Sequence, residues 1–130
     1  MMNIKGVLFD LDGTLLDTSE LIVESFRYTF KQHCNYDISV SEVHDFFGKS
    51  LRLAMETLGK DKADELIDTY REHNAKYHDE KIAIFPEVAE TIKTMYDNGI
   101  KLAVVTSKTK KTALRGLKLF GLESYFSTVI

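Results

Sequence analysis

The chain opens with a short apolar run, Ile4 to Phe9 (IKGVLF), that stops at an acidic turn carrying a glycine, Asp10-Leu11-Asp12-Gly13-Thr14. An apolar run of this length without polar alternation reads as a strand buried on both faces of a parallel sheet. Parallel strands need crossover connections, usually helices, so this feature commits the chain to a layered α/β architecture. From Asp17 to Lys81 the pattern is helical and contains no proline. Asp17 with Glu20, and Ser39 with Glu42, stand at capping-box spacing. Ile22, Phe26, Thr29 and Phe30 recur at helical intervals, as do Ala63, Leu66, Ile67 and Tyr70. Four helices are expected, opening near Asp17, Ser39, Ser50 and Asp61.

At Phe85 a helix–strand rhythm returns. Pro86 suits the first turn of a helix, and Asn98-Gly99 ends it. Ile100 to Val105 reads as a second buried strand. Thr106 and Ser107 offer N-cap oxygens for a helix over 109–119, and Tyr125 to Ile130 begins a third strand. The expected fold is α/β. Residues 1–15 and 83–130 form a partial, Rossmann-like parallel-sheet core, and residues 16–82 form an inserted all-helical cap.

Charge and composition narrow the partners. The 17 basic and 20 acidic residues leave a net charge of −3, which argues against nucleic acid. No apolar run approaches the ~20 residues of a membrane span. The opening MMNIKGVLFD lacks the small-residue cleavage site of a signal peptide. Cys34 is the single cysteine, so no internal disulfide forms and a reducing cytoplasm is the expected compartment. It follows a helical stripe and is expected to be at least partly buried. The four histidines show no metal-ligand spacing.

Open α/β sheets bind ligands beyond the carboxyl ends of their strands. Two polar clusters fall there, Asp10 to Thr14 and Thr106 to Lys108. Asp10 and Asp12 are two carboxylates in one cleft, which repel unless a cation or proton intervenes. Hard oxygen ligands of this kind suit Mg²⁺. An ionised aspartate is also a nucleophile toward phosphorus, and a neighbouring carboxyl group can move the accompanying protons. On spacing alone, a plain turn stabilised by aspartate and glycine competes with this reading. An EF-hand does not, because Gly13 is at the wrong offset and no glutamate closes the loop.

An apolar strand, then Asp-Leu-Asp-Gly-Thr-Leu, then a helical insert resembles the haloacid dehalogenase superfamily of phosphohydrolases. Within it the chain looks most like phosphoglycolate phosphatases and their pyrophosphatase relatives. Phe85-Pro86 and Val104-Val105-Thr106-Ser107-Lys108 fit the same pattern. The resemblance implies that Asp10 is the nucleophile and Asp12 the general acid/base, with Mg²⁺ on Asp10 and on Asp12 through its carbonyl. It implies that the backbone N–H groups of Leu11 and Asp12, with Thr106, Ser107 and Lys108, hold the phosphate of a small phosphorylated metabolite. Gly48, Lys49 and Arg52 would form a cap loop that helps choose the leaving group. Each has a plainer alternative: an N-cap for Thr106, a solvated lysine for Lys108, and a helix linker for the cap loop.

The superfamily pattern also includes a later basic residue and an acidic pair on a fourth strand. Neither occurs at a matching position. The chain is therefore expected to be the N-terminal portion of a longer phosphatase, inactive alone and a weak binder of Mg²⁺. Its first strand would have one open edge and incompletely covered faces, and such an edge invites pairing into a dimer. Two other functions are weighed: a non-catalytic phosphate- or partner-binding module, and a phosphomutase of the β-phosphoglucomutase kind.

Overall fold

In the computed structural model, which describes residues 3–130, β1 (Gly6–Phe9) lies parallel to β4 (Lys101–Val104). On its far side β4 lies parallel to β5 (Phe126–Val129), giving the order β1-β4-β5. Residues 1 and 2 of the expected core lie outside the described residues. The β1–β4 register pairs Gly6 with Lys101 and Phe9 with Val104. The N–H of Val105 still donates to the Phe9 carbonyl at 2.8 Å, so the ladder runs one residue past both strands. Asp10 and Thr106 thus follow paired residues at the same end of the sheet.

Among the described strands of this sheet, β4 alone is buried as a two-sided strand should be. Leu102 and Val104 are closed to solvent, whereas Leu8 of β1 is 70% exposed. The apolar run taken alone would cover Ile4 to Phe9 on both faces; the exposed Leu8 agrees instead with the incompletely covered faces expected for this strand. Among the described strands β4 has neighbours on both edges and β1 on one, so the packing converges on β4. The helices α5 (Val88–Asp97) and α6 (Lys110–Leu119) bury Ile92, Ala113 and Leu117.

A two-stranded ribbon was not legible in the sequence. β2 (Leu16–Asp17) runs antiparallel to β3 (Ala83–Ile84), and the Phe85 N–H extends it by donating to the Leu15 carbonyl at 3.3 Å. Two-residue strands are too short to show a period. The ribbon moves three expectations. Asp17 is a ribbon residue, and the first helix starts at Ser19. The chain divides into one unit running up to Thr18 and resuming at Ile82, and a second unit of Ser19–Lys81. Beyond the ribbon, Glu87 takes a left-handed φ of 67°, so the helix begins at Val88 and not at Pro86. Likewise α6 is capped by Thr109, whose hydroxyl accepts the Thr112 N–H, and not by Thr106 or Ser107.

The second unit is helical throughout its described elements. It holds α1 (Ser19–Cys34), α2 (Val40–His44), α3 (Leu51–Gly59), a 3₁₀ turn and α4 (Ala63–Lys81). The Ser39–Glu42 capping box forms as its spacing predicts, and Ser50 caps α3 by accepting the Leu53 N–H. The core gathers Phe26, Phe30, Ile38, Met55, Leu66 and Ile67. Phe26 stacks on Phe30 at 6.3 Å and meets Tyr70 edge-on at 5.2 Å. Histidines fasten α1 to α4. His73 Nδ1 lies 2.9 Å from the Ser25 hydroxyl, between the rings of Tyr28 and Tyr77, and burial holds its pKa below the ordinary value. His33 Nε2 lies 2.6 Å from the Thr69 hydroxyl. Cys34 is exposed rather than buried, because α1 ends there.

Gly59 makes a test of this packing. A Cβ on it would fall 2.0 Å from Cδ1 of the buried Leu66. Replacing a helical glycine by alanine ordinarily gains up to ~1 kcal/mol, while overpacking a core costs ~1–3 kcal/mol. Gly59→Ala is expected to lower the urea midpoint of unfolding, and a raised midpoint would show that Leu66 has room to turn aside.

Candidate active site

The loop after β1 is built around one buried residue. Leu11 is fully buried, and its carbonyl accepts the N–H groups of Leu15 at 2.9 Å and Leu16 at 3.0 Å. Gly13 turns the chain with φ 80°, a conformation open to glycine, and donates to the Leu16 carbonyl at 2.8 Å. This fold holds Asp10 at the end of β1, where it is exposed. Its Oδ1 accepts the Leu11 N–H at 2.8 Å. The Leu11 N–H expected to hold phosphate is thus engaged by the adjacent Asp10 carboxylate here.

Asp12 is half-enclosed and doubly held. The Thr18 hydroxyl donates to its Oδ1 at 3.0 Å, and Lys108 Nζ lies 3.0 Å from the same oxygen. Thr18 is itself 2% exposed. The Lys108 N–H donates to the Thr106 hydroxyl at 3.2 Å, and the Thr106 N–H donates to the Ile130 carbonyl at 3.0 Å. Ser107 is exposed between them. The β1–β4 register therefore joins the two sequence clusters through a Lys108–Asp12 ion pair. Lys108 is thus paired with Asp12 and is not a solvated lysine. Thr18 escaped the sequence reading: a threonine six residues beyond Asp12 has no periodic relation to it, and only the folded loop brings them together.

The cap-loop candidates lie in the helical unit. Gly48 has a φ of 80°. Lys49 Nζ sits 5.6 Å over the Phe46 ring. Arg52 Nη1 reaches Asp64 at 3.2 Å and Glu56 at 3.5 Å. The hydrogen bond to Asp64, then that to Glu56, raises the arginine pKa. The Arg52 charge is thus balanced within its own unit.

The carboxylates of Asp10 and Asp12 and the carbonyls of their loop are hard oxygens, a ligand chemistry that fits Mg²⁺. Among the described residues no three His, Cys, Asp or Glu side chains gather into a metal-binding group. A metal here would therefore rest on Asp10 and backbone oxygen more than on a carboxylate cage. No helix among the described residues is long and apolar enough to cross a membrane.

A parallel sheet, an inserted helical unit and two aspartates just past the first strand define an α/β protein whose polar groups gather at the carboxyl ends of its strands. A family model described as haloacid dehalogenase-like hydrolase matches residues 7–130. The chain belongs to that family. Pyrophosphatase PpaX of Halalkalibacterium halodurans is 40% identical over 129 residues, which are 99% of this chain and 60% of that relative. The solved haloacid dehalogenase-like family protein SP0104 of Streptococcus pneumoniae is 28% identical with a TM-score of 0.89, over 97% of this chain and 60% of that one. Protein Tyrosine Kinase A of Mycobacterium tuberculosis is 30% identical with a TM-score of 0.85, over 97% of this chain and 59% of that one. The chain spans about 60% of the length of these relatives.

Proposed function

We propose that the whole protein is a phosphatase of small phosphorylated metabolites, of the phosphoglycolate or pyrophosphate kind, acting through an aspartyl phosphate. The observation that carries this reading is the pairing of an exposed Asp10 with a tethered Asp12 at one strand end. Asp10 is exposed to an approaching phosphorus, and Asp12 is held nearby to serve the leaving group. An Asp10 carboxylate oxygen attacks phosphorus as the bond to the leaving oxygen breaks, and Asp12 gives that oxygen a proton. Water then attacks the aspartyl phosphate and its proton returns to Asp12, releasing phosphate and restoring Asp10. Thr106 and the exposed Ser107 stand at the neighbouring strand end to bind phosphoryl oxygens. Mg²⁺ would be held by the Asp10 carboxylate and the Asp12 carbonyl, and would supply positive charge against the charge that develops on phosphate. The PpaX relatives favour pyrophosphate among the substrates. A cytoplasmic location fits such a substrate.

The test is hydrolysis of pyrophosphate, phosphoglycolate and p-nitrophenyl phosphate by the complete gene product. Turnover is expected with Mg²⁺ and is expected to vanish in EDTA, returning when Mg²⁺ is restored. A protein that hydrolyses none of them, yet dimerises with concentration, would replace this reading by a non-catalytic module pairing through the uncovered edge of β1.

A further inference from the structure

Two donors from opposite sides of the sequence meet on one oxygen of Asp12. Thr18 Oγ1 and Lys108 Nζ both lie 3.0 Å from Oδ1. Thr18 is 2% exposed, so its hydroxyl is not freely solvated and its hydrogen bond fixes a direction. The Lys108 side chain is 20% exposed and that of Asp12 28%, so the ion pair is partly shielded from water. Its backbone end is fixed as well, by the Lys108 N–H on the Thr106 hydroxyl. Two such contacts on one oxygen remove the freedom of the carboxyl group to rotate about its last bond. The other oxygen, Oδ2, receives neither donor.

Resting on the phosphatase reading, we propose that Thr18 and Lys108 are positioning residues for Asp12. They pin Oδ1, and Oδ2 is thereby the oxygen that hands the proton to the leaving group and takes one from water. Lys108 serves the acid rather than the substrate phosphate. The atoms balance as in the step already written: the bond from phosphorus to the leaving oxygen breaks, and the Oδ2 proton completes the departing hydroxyl.

Proton delivery matters in proportion to the basicity of the leaving oxygen. A p-nitrophenolate departs largely unaided, whereas an alkoxide such as that of phosphoglycolate needs the proton. General acid–base assistance is worth about 10²–10⁴-fold, and misplacing the acid forfeits part of it. The experiment measures kcat and KM for phosphoglycolate and p-nitrophenyl phosphate in the complete gene product, Thr18→Val, Thr18→Ser, Lys108→Met and Lys108→Arg. Thr18→Val and Lys108→Met are expected to lower kcat for phosphoglycolate by about ten-fold or more, with kcat for the aryl ester falling far less and KM nearly unchanged. Thr18→Ser and Lys108→Arg, which keep the donors, are expected to recover most of the loss.

A Lys108→Met protein whose KM rises equally for both esters at constant kcat would make Lys108 a phosphate contact and overturn the proposal. Equal kcat losses on both esters, or no loss, would overturn it too. Where the unmodified protein hydrolyses both esters, these failures bear on positioning alone. Where it hydrolyses neither, the phosphatase reading falls and takes this proposal with it.

Discussion

Asp10→Asn is expected to abolish phosphate-ester turnover by the complete protein, by about 10⁴-fold or more, the scale on which covalent nucleophiles are missed. An amide oxygen is a poor nucleophile and forms no stable acyl phosphate. The substitution should leave the fold intact, because the hydrogen bond that Asp10 accepts from the Leu11 N–H suits an asparagine oxygen equally. Labelled substrate should therefore leave phosphate on the unmodified protein, in a hydroxylamine-sensitive bond, and none on the variant at an unchanged melting temperature. An Asp10→Asn protein that still turns over at the parental rate would remove Asp10 from the nucleophile's role.

Phe30→Ala should have the largest effect on stability. Phe30 is 2% exposed, lies in the centre of the helical unit and stacks on Phe26. Truncating a buried phenylalanine costs about 3–5 kcal/mol through lost burial and the cavity left behind. A unit of this size loses about 4–8 °C of melting temperature per kcal/mol. A fall well beyond 10 °C is expected, read from the helical signal in circular dichroism. A shift of a degree or two would mean that the unit collapses into the space, or that Phe30 is not in its core. Because the chain has two units, the transition should be followed by a second probe before a single stability is quoted.

Much of the fold was legible because it rests on local rules. Ser39 and Glu42 announce a capping box, and the box forms with both hydrogen bonds. The apolar stripe around Phe26 and Phe30 announces a helix face, and that face is the core of its unit. The acidic turn after the first strand lies where an open sheet places its ligands, and the family match covers that turn. Errors fell where the outcome depends on partners distant in sequence. Leu16 and Asp17 become a strand only because Ala83 and Ile84 come alongside. By its apolar run alone Leu8 would be interior, yet β1 has one strand neighbour and Leu8 faces outward.

The site divides along the same line. Residue type and chain position determined that Asp10 and Asp12 stand past the end of a strand, since apolar content and a glycine turn are properties of consecutive residues. Which oxygen of Asp12 is held, and by what, was decided only by the tertiary structure. Thr18 is six positions from Asp12 and Lys108 is 96. No period connects them, and they meet because a parallel register sets the ends of β1 and β4 side by side while the β2 ribbon folds Thr18 back beneath the loop. A hydrogen bond depends on where atoms stand within tenths of an ångström, and that information lies in packing rather than in the order of the residues.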